Sequence, residues 1–178
     1  MNLDPLFLSI ESSVLSTWIR ESDSLFAFPM ILTFHTVAMG FLAGTSLVIA
    51  LRLLGFARAI PVPALDRFFP ILWLSFWVNA VTGVLLLAAY PTKALTNPYF
   101  YAKMTIIAAA VTLIPRLRRV VVSGVVTGVV TGDDAGGLGG TVARKTMILA
   151  ITSVVLWAAA ITVGRLLPYT YHRLLVVE

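Results

Sequence analysis

Four long apolar stretches, each bounded by turn-forming or basic residues, constrain this chain more than any other feature. They run over residues 25–54, 68–90, 99–120 and 147–167. A hydrocarbon core of about 30 Å asks for about 20 mainly apolar residues in helical form, and each stretch approaches or exceeds that length. Because lipid offers backbone groups no hydrogen bonds, an apolar run of this kind crosses as a helix. The third is short unless Leu117 and Val120 extend it beyond Pro115. The expected fold is an all-α membrane protein, a four-transmembrane-helix bundle forming a single domain over 1–178. With 59% hydrophobic and 12% charged residues, the composition fits a chain dissolved in lipid.

Ahead of the first span, Ile10, Val14, Leu15, Trp18 and Ile19 recur at helical spacing while Glu11, Ser12, Ser13, Ser16 and Thr17 fill the opposite face. This predicts an amphipathic helix over about 9–20, too polar to span, that either lies in the headgroup region or packs on the mouth of the bundle. Met1-Asn2-Leu3-Asp4-Pro5 lacks the basic start of a secretory signal, so the N-terminus is expected to be retained. Asn97-Pro98 is a helix start: Asn caps free N–H groups and Pro fits the first turn. Between the third and fourth spans, a Val-Val-Ser/Thr-Gly tetrapeptide repeats three times and runs into Asp133-Asp134 and a glycine cluster. Residues 121–141 therefore read as a Gly-rich loop. No preceding strand and no Gly-Lys-Ser/Thr ending support a phosphate loop there.

Basic residues set the expected orientation. Arg52, Arg58, Arg67, Arg116, Arg118, Arg119, Arg144 and Lys145 flank two loops on one side, eight in all; Arg20, Lys93, Lys103, Arg165 and Arg173, five, flank the other. The richer side is expected to be cytoplasmic, which puts both termini on the periplasmic side of a bacterial inner membrane. These residues flank spans and form no exposed stripe, so the net charge of +5 does not indicate nucleic acid. The expected surroundings are the lipid bilayer and other membrane subunits, or further copies of the chain.

Polar residues inside the spans are the candidate sites. His35 lies about ten residues into the first span, roughly 15 Å of helix. An intramembrane histidine binds haem or metal, shuttles protons, or bonds to a neighbouring helix. Ser75, Asn79 and Thr82, with Gly83, share a stripe of the second span, as interhelical contacts or as the polar wall of a ligand pocket facing His35. Gly40 and Gly44 form a Gly-x-x-x-Gly, read here as a helix-packing contact within the bundle. Lys103 and Arg165 lie near outer helix ends, where they snorkel to phosphates or hold an anion at the mouth. His172, beyond Pro168 and beside Tyr169 and Tyr171, is expected at the water surface; it is the other histidine available as a weak second haem ligand.

The absence of cysteine excludes disulfides and thiolate metal sites. No catalytic residue stands out: the spans lack an acid, a metal-spaced histidine pair and an activated nucleophile.

Glu11-Ser12-Ser13, Trp18-Ile19-Arg20-Glu21-Ser22, Phe28-Pro29, His35, Gly40, Gly44 and Leu51-Arg52-Leu53-Leu54-Gly55 resemble a family of small four-helix bacterial inner-membrane proteins carrying a domain of unknown function. Thr82-Gly83 and Asn97-Pro98-Tyr99-Phe100-Tyr101-Ala102-Lys103 continue the resemblance, which covers about 11–103. The general design is also distantly similar to cytochrome b561-like and copper-resistance membrane proteins. The resemblance implies the architecture and names no reaction. It also implies Asn and His near the end of the third helix, where Leu113 and Arg118 stand here, so His35 has no evident second axial ligand. Three functions follow: a non-catalytic subunit or partner of a larger membrane assembly, a haem b electron-transfer module using His35, or a small transporter or channel.

The charge asymmetry makes a direct prediction. An impermeant thiol reagent applied to intact cells should label Asn2→Cys and spare Gly137→Cys; rapid labelling of the latter overturns the orientation.

Overall fold

The computed structural model describes residues 9–57, 59–123 and 138–174, and every regular element among them is helical. In chain order these are α1 (Val14–Glu21), α2 (Phe28–Leu53), a 3₁₀ turn (Val62–Arg67), α3 (Phe68–Ala89), α4 (Pro91–Leu95), α5 (Pro98–Val122) and α6 (Leu138–Leu174). Three segments are long and apolar enough to cross a membrane: Phe28–Leu53, Val62–Ala89 and Arg144–Leu167. The third expected span is a helix of 25 residues, α5, but it is not in that set. It carries Lys103 near its start and Arg116, Arg118 and Arg119 near its end. A protein with three apolar helices is thus established, and the fourth crossing is a separate matter.

Local chemistry accounts for the helix ends. Ser13 caps α1 by accepting from the Ser16 amide at 3.3 Å. Asn97 caps α5 by accepting from the Tyr99 amide at 3.0 Å, with Pro98 in the first turn, as its sequence predicts. At the end of α2, Phe56 N–H donates to Leu51 O and Gly55 N–H to Arg52 O, at 3.0 and 3.1 Å. That Schellman closure needs a left-handed residue, and Gly55 supplies it with φ +94°. Helix α5 continues through Pro115 to Val122, placing Ala110, Ile114, Leu117 and Val121 on one buried stripe. Helix α6 runs well past the apolar core of the fourth span at both ends and continues through Pro168, so His172 lies in its last turn. The expected loop is correspondingly narrower, and most of it lies outside the described residues.

Helix α2 packs against α3 and α6, and α6 packs against α5; α3 and α5 are not a packed pair. The order around the bundle is therefore α3, α2, α6, α5, with one side open. One half is filled by a core of Leu42, Ile49, Phe69, Leu72, Ile114, Leu117 and Trp157. At that end Arg118 Nε meets Asp66 Oδ1 at 2.9 Å, and Arg52 Nε donates to Ile60 O at 2.6 Å. At the opposite end Asn97 Nδ2 donates to Leu167 O at 3.4 Å, which aligns α5 antiparallel to α6.

Many large apolar side chains point outward, among them Phe34 and Phe41 on α2, Leu74, Trp77 and Val81 on α3, and Ile148, Ile151 and Val155 on α6. Water would penalise such a surface and lipid does not. Helix α1 shows the same inversion. Ser16 and Ile19 are its buried residues, Ser16 Oγ donating to Ala89 O at 3.4 Å, whereas Val14, Leu15 and Trp18 are exposed. It packs on the end of α3, one of the two placements its sequence allows, and turns its apolar residues away from the chain.

The expectation that Gly40 and Gly44 pack within the bundle does not hold. Both are exposed, and a Cβ built at either meets nothing within 4 Å. The close approach is made instead at Gly83, where an added Cβ would lie 3.2 Å from the His35 ring. These environments separate in mutants. Gly55→Ala should destabilise the detergent-solubilised protein by about 1 kcal/mol through its left-handed φ, whereas Gly40→Ala should leave it unchanged or raise it by up to about 1 kcal/mol. Parallel thermal melts check both.

Candidate functional site

The half of the bundle not filled by the core holds a cavity of about 970 Å³. It lies where α3 and α5 fail to meet, with α2 and α6 as its back wall. Phe76, Ala80, Gly83 and Leu87 line it from α3, Phe100, Lys103, Met104 and Ile107 from α5, Leu32 and His35 from α2, and Gly164 and Leu167 from α6. Tyr90 and Lys93 stand in its wall beyond the end of α3, the Lys93 ammonium 4.9 Å from the Tyr90 ring centroid.

The polar part of this wall is a reciprocal contact between α2 and α3. Asn79 Nδ2 donates to the backbone carbonyl of His35 at 2.8 Å, and His35 Nδ1 lies 3.1 Å from the backbone carbonyl of Asn79. Nδ1 is also 3.0 Å from Thr82 Oγ1, whose single proton goes to Val78 O at 2.7 Å. A carbonyl oxygen only accepts, so the proton of the neutral ring sits on Nδ1, shared between Asn79 O and Thr82 Oγ1. Nε2 of that tautomer is an acceptor, and among the described residues it has no protein partner. A ring oriented through Nδ1 with Nε2 left available is how proteins present a histidine to a metal or ligand. Gly83 makes this geometry fit, since the His35 ring occupies the space a side chain there would take.

Lys103 reaches the same cavity from α5. Its side chain lies along Gly164, where an added Cβ would be 3.5 Å from both Cε and Nζ. Both recorded ion pairs among the described residues, Arg20 with Glu21 and Arg118 with Asp66, leave it out. It is half-buried in the cavity wall.

The expected constellation is therefore partly assembled. His35, Asn79, Gly83 and Lys103 meet at the cavity, and Thr82 supports His35 from behind. Ser75 is buried one turn away on α3 and does not line it. Arg165 is exposed and also stands outside the lining. The side chain of His172 lies outside the described residues. Sequence reasoning missed Tyr90, Lys93, Met104 and Gly164 as wall residues; their signal is spatial, because nothing in the spacing tells that α3 and α5 stay apart.

No group of three or more His, Asp or Glu able to hold a metal ion occurs among the described residues. Comparison with protein-family profiles, curated proteins and solved structures yields no match.

The reciprocal contact predicts a stability cost with a spectroscopic signature. Asn79→Leu should lower stability in detergent by about 0.6–2 kcal/mol, the range for interhelical hydrogen bonds in membranes. In ¹⁵N NMR of the wild type the ring proton of His35 should appear on Nδ1, and Gly83→Val should perturb that signal by displacing the ring. A proton found on Nε2 contradicts the assignment.

Proposed function

We propose that this chain is a four-span inner-membrane protein, both termini periplasmic, that takes a lipid-soluble ligand into its open cleft and serves without catalysis of its own as a partner in a membrane assembly. The observation that carries this reading is the unfilled cavity of about 970 Å³ between α3 and α5, which has polar atoms presented at its wall. A volume of that size lies in the range of small-molecule sites, and apolar lining with a few fixed polar groups is their usual composition.

The fourth crossing is supported by the geometry of α5. Its 25 residues make a rod of about 37 Å, enough to span, and it runs antiparallel to α6. The exposed Arg116, Arg118 and Arg119 near its last turns are suited to an interface. The orientation draws support from the clustering of Arg52, Arg67, Arg116, Arg118 and Arg119 at the end tied by the Arg118 to Asp66 pair. The resemblance of about 11–103 to small four-helix inner-membrane proteins agrees with this architecture.

A haem b reading is favoured by one observation, the available Nε2 of an otherwise anchored His35 in an apolar cavity wall. Of the residues present, His35 would hold the haem iron through Nε2. Met104 adds a thioether to the lining, and Lys93 and Lys103 are suited to acidic substituents. Haem would supply one-electron chemistry; the chain would orient it and exclude water.

Both readings meet in one set of measurements. Mass spectrometry of gently purified protein should find a retained small hydrophobic molecule, and Ala80→Trp, which fills the cleft, should expel it without lowering the melting temperature. Retention unaffected by Ala80→Trp overturns the cleft as the site. A stoichiometric reduced-minus-oxidised b-type spectrum, lost in His35→Ala, selects haem; its absence selects a colourless ligand.

A further inference from the structure

The polar atoms of the cleft are arranged unequally, and their arrangement defines what they can hold. Lys103 is a half-buried cation in a mainly apolar wall, with no carboxylate partner among the described residues; Lys93, exposed beside the Tyr90 ring, is the other basic residue of the lining. Hydrocarbon solvates an ammonium group poorly, so a cation at this position calls for an anion beside it. Its contact along Gly164 holds the side chain against α6, at the wall of the cavity. His35 adds one acceptor, Nε2, and offers no second donor while Nδ1 is engaged by α3. One half-buried ammonium suits a carboxylate, whose oxygens accept its hydrogen bonds, and the acceptor Nε2 adds no donor for an anion. A phosphate, with more oxygens, asks for more donors than these.

The remaining wall is hydrocarbon. Between Phe100 and Val111 on α5 the lining extends for roughly 16 Å along the helix, and Phe76, Ala80, Val84 and Leu87 face it from α3. Lys103 lies toward the Asn97 end of this trough, while Val111 and Phe76 form its far end, nearer the packed core. The charge is thus at the end where Lys93 and Tyr90 also stand, and the apolar part runs toward mid-bundle.

We infer that the cleft binds a single-chain lipid acid, a long-chain carboxylate whose head rests on Lys103 and whose tail lies between α3 and α5. This rests on the reading of the cleft as a ligand site. The cation sets the charge of the head, the bare carboxylate belongs to a single-chain acid, and the apolar trough takes the tail.

The test uses the full chain in nanodiscs of zwitterionic phospholipid, with uptake by empty discs subtracted. Labelled oleic acid and oleyl alcohol share a tail and differ in the head. Wild type should bind the acid at least tenfold more tightly, Lys103→Met should bring the two to within twofold, and Lys103→Arg should keep most of the preference. Equal binding of acid and alcohol by wild type, or a preference that survives in Lys103→Met, overturns the inference and leaves the cleft reading standing. Binding of neither, with Ala80→Trp changing nothing retained, removes both. A diacyl phospholipid recovered in place of a single-chain acid also overturns the assignment. Where Lys103→Met fails to fold, the acid-to-alcohol ratio of wild type decides alone.

Discussion

The reciprocal bonding of His35 and Asn79 is the contact on which the rest of the arrangement depends. In an apolar medium each side-chain amide and imidazole must find a partner or lose several kcal/mol, and these two find each other's main chain. Because each side chain bonds to the other residue's backbone, the pair fixes the axial register of α2 on α3 as well as their proximity. A slip of one residue, about 1.5 Å, separates donors from acceptors on both sides at once. Thr82 and Gly83 complete it, one by sharing the Nδ1 proton and the other by vacating the volume the ring needs. The same bonds that hold the helices together set the His35 ring in the cavity wall by its Nδ1 side, so packing and site are one feature.

The second determinant is the unequal filling of the bundle. Bulky residues at the arginine-rich end, from Phe69 to Ile114 and Trp157, bring the helices into contact, whereas the other end places Gly83, Ala80, Gly164 and Ala108 where a tight bundle would have large side chains. Without a hydrophobic force between helices in lipid, contact is made by shape, and small residues without a facing ridge leave room. The ties at that end, Asn97 to Leu167 and Ser16 to Ala89, join α5 to α6 and α1 to α3 but do not bridge α3 and α5.

Much of this was legible in the residues. Ser75, Asn79 and Thr82 at helical spacing announced a buried polar stripe, and all three are buried; Asn97-Pro98 announced the start of α5. Two kinds of information were missing. The first was direction around a helix axis: Gly40 and Gly44 are spaced for packing, but spacing does not say which face meets a neighbour, and theirs meets none. The second was where a polar-ended helix stops, since hydropathy sees the apolar part of α6 and misses its extension to Leu138 and Leu174. Lys103 shows both at once. Its position near a helix start suggested a residue at the interface, while the rotation of α5 brings it inward beside Gly164.

For the proposed lipid-borne ligand, the open side between α3 and α5 changes what concentration means. A ligand that arrives sideways, through the plane of the bilayer, is counted per lipid molecule and not per litre of water. Occupancy then follows the mole fraction of ligand in the surrounding lipid by mass action. Adding lipid or detergent at fixed ligand empties the site, while changing the volume of buffer around the same membranes hardly alters it.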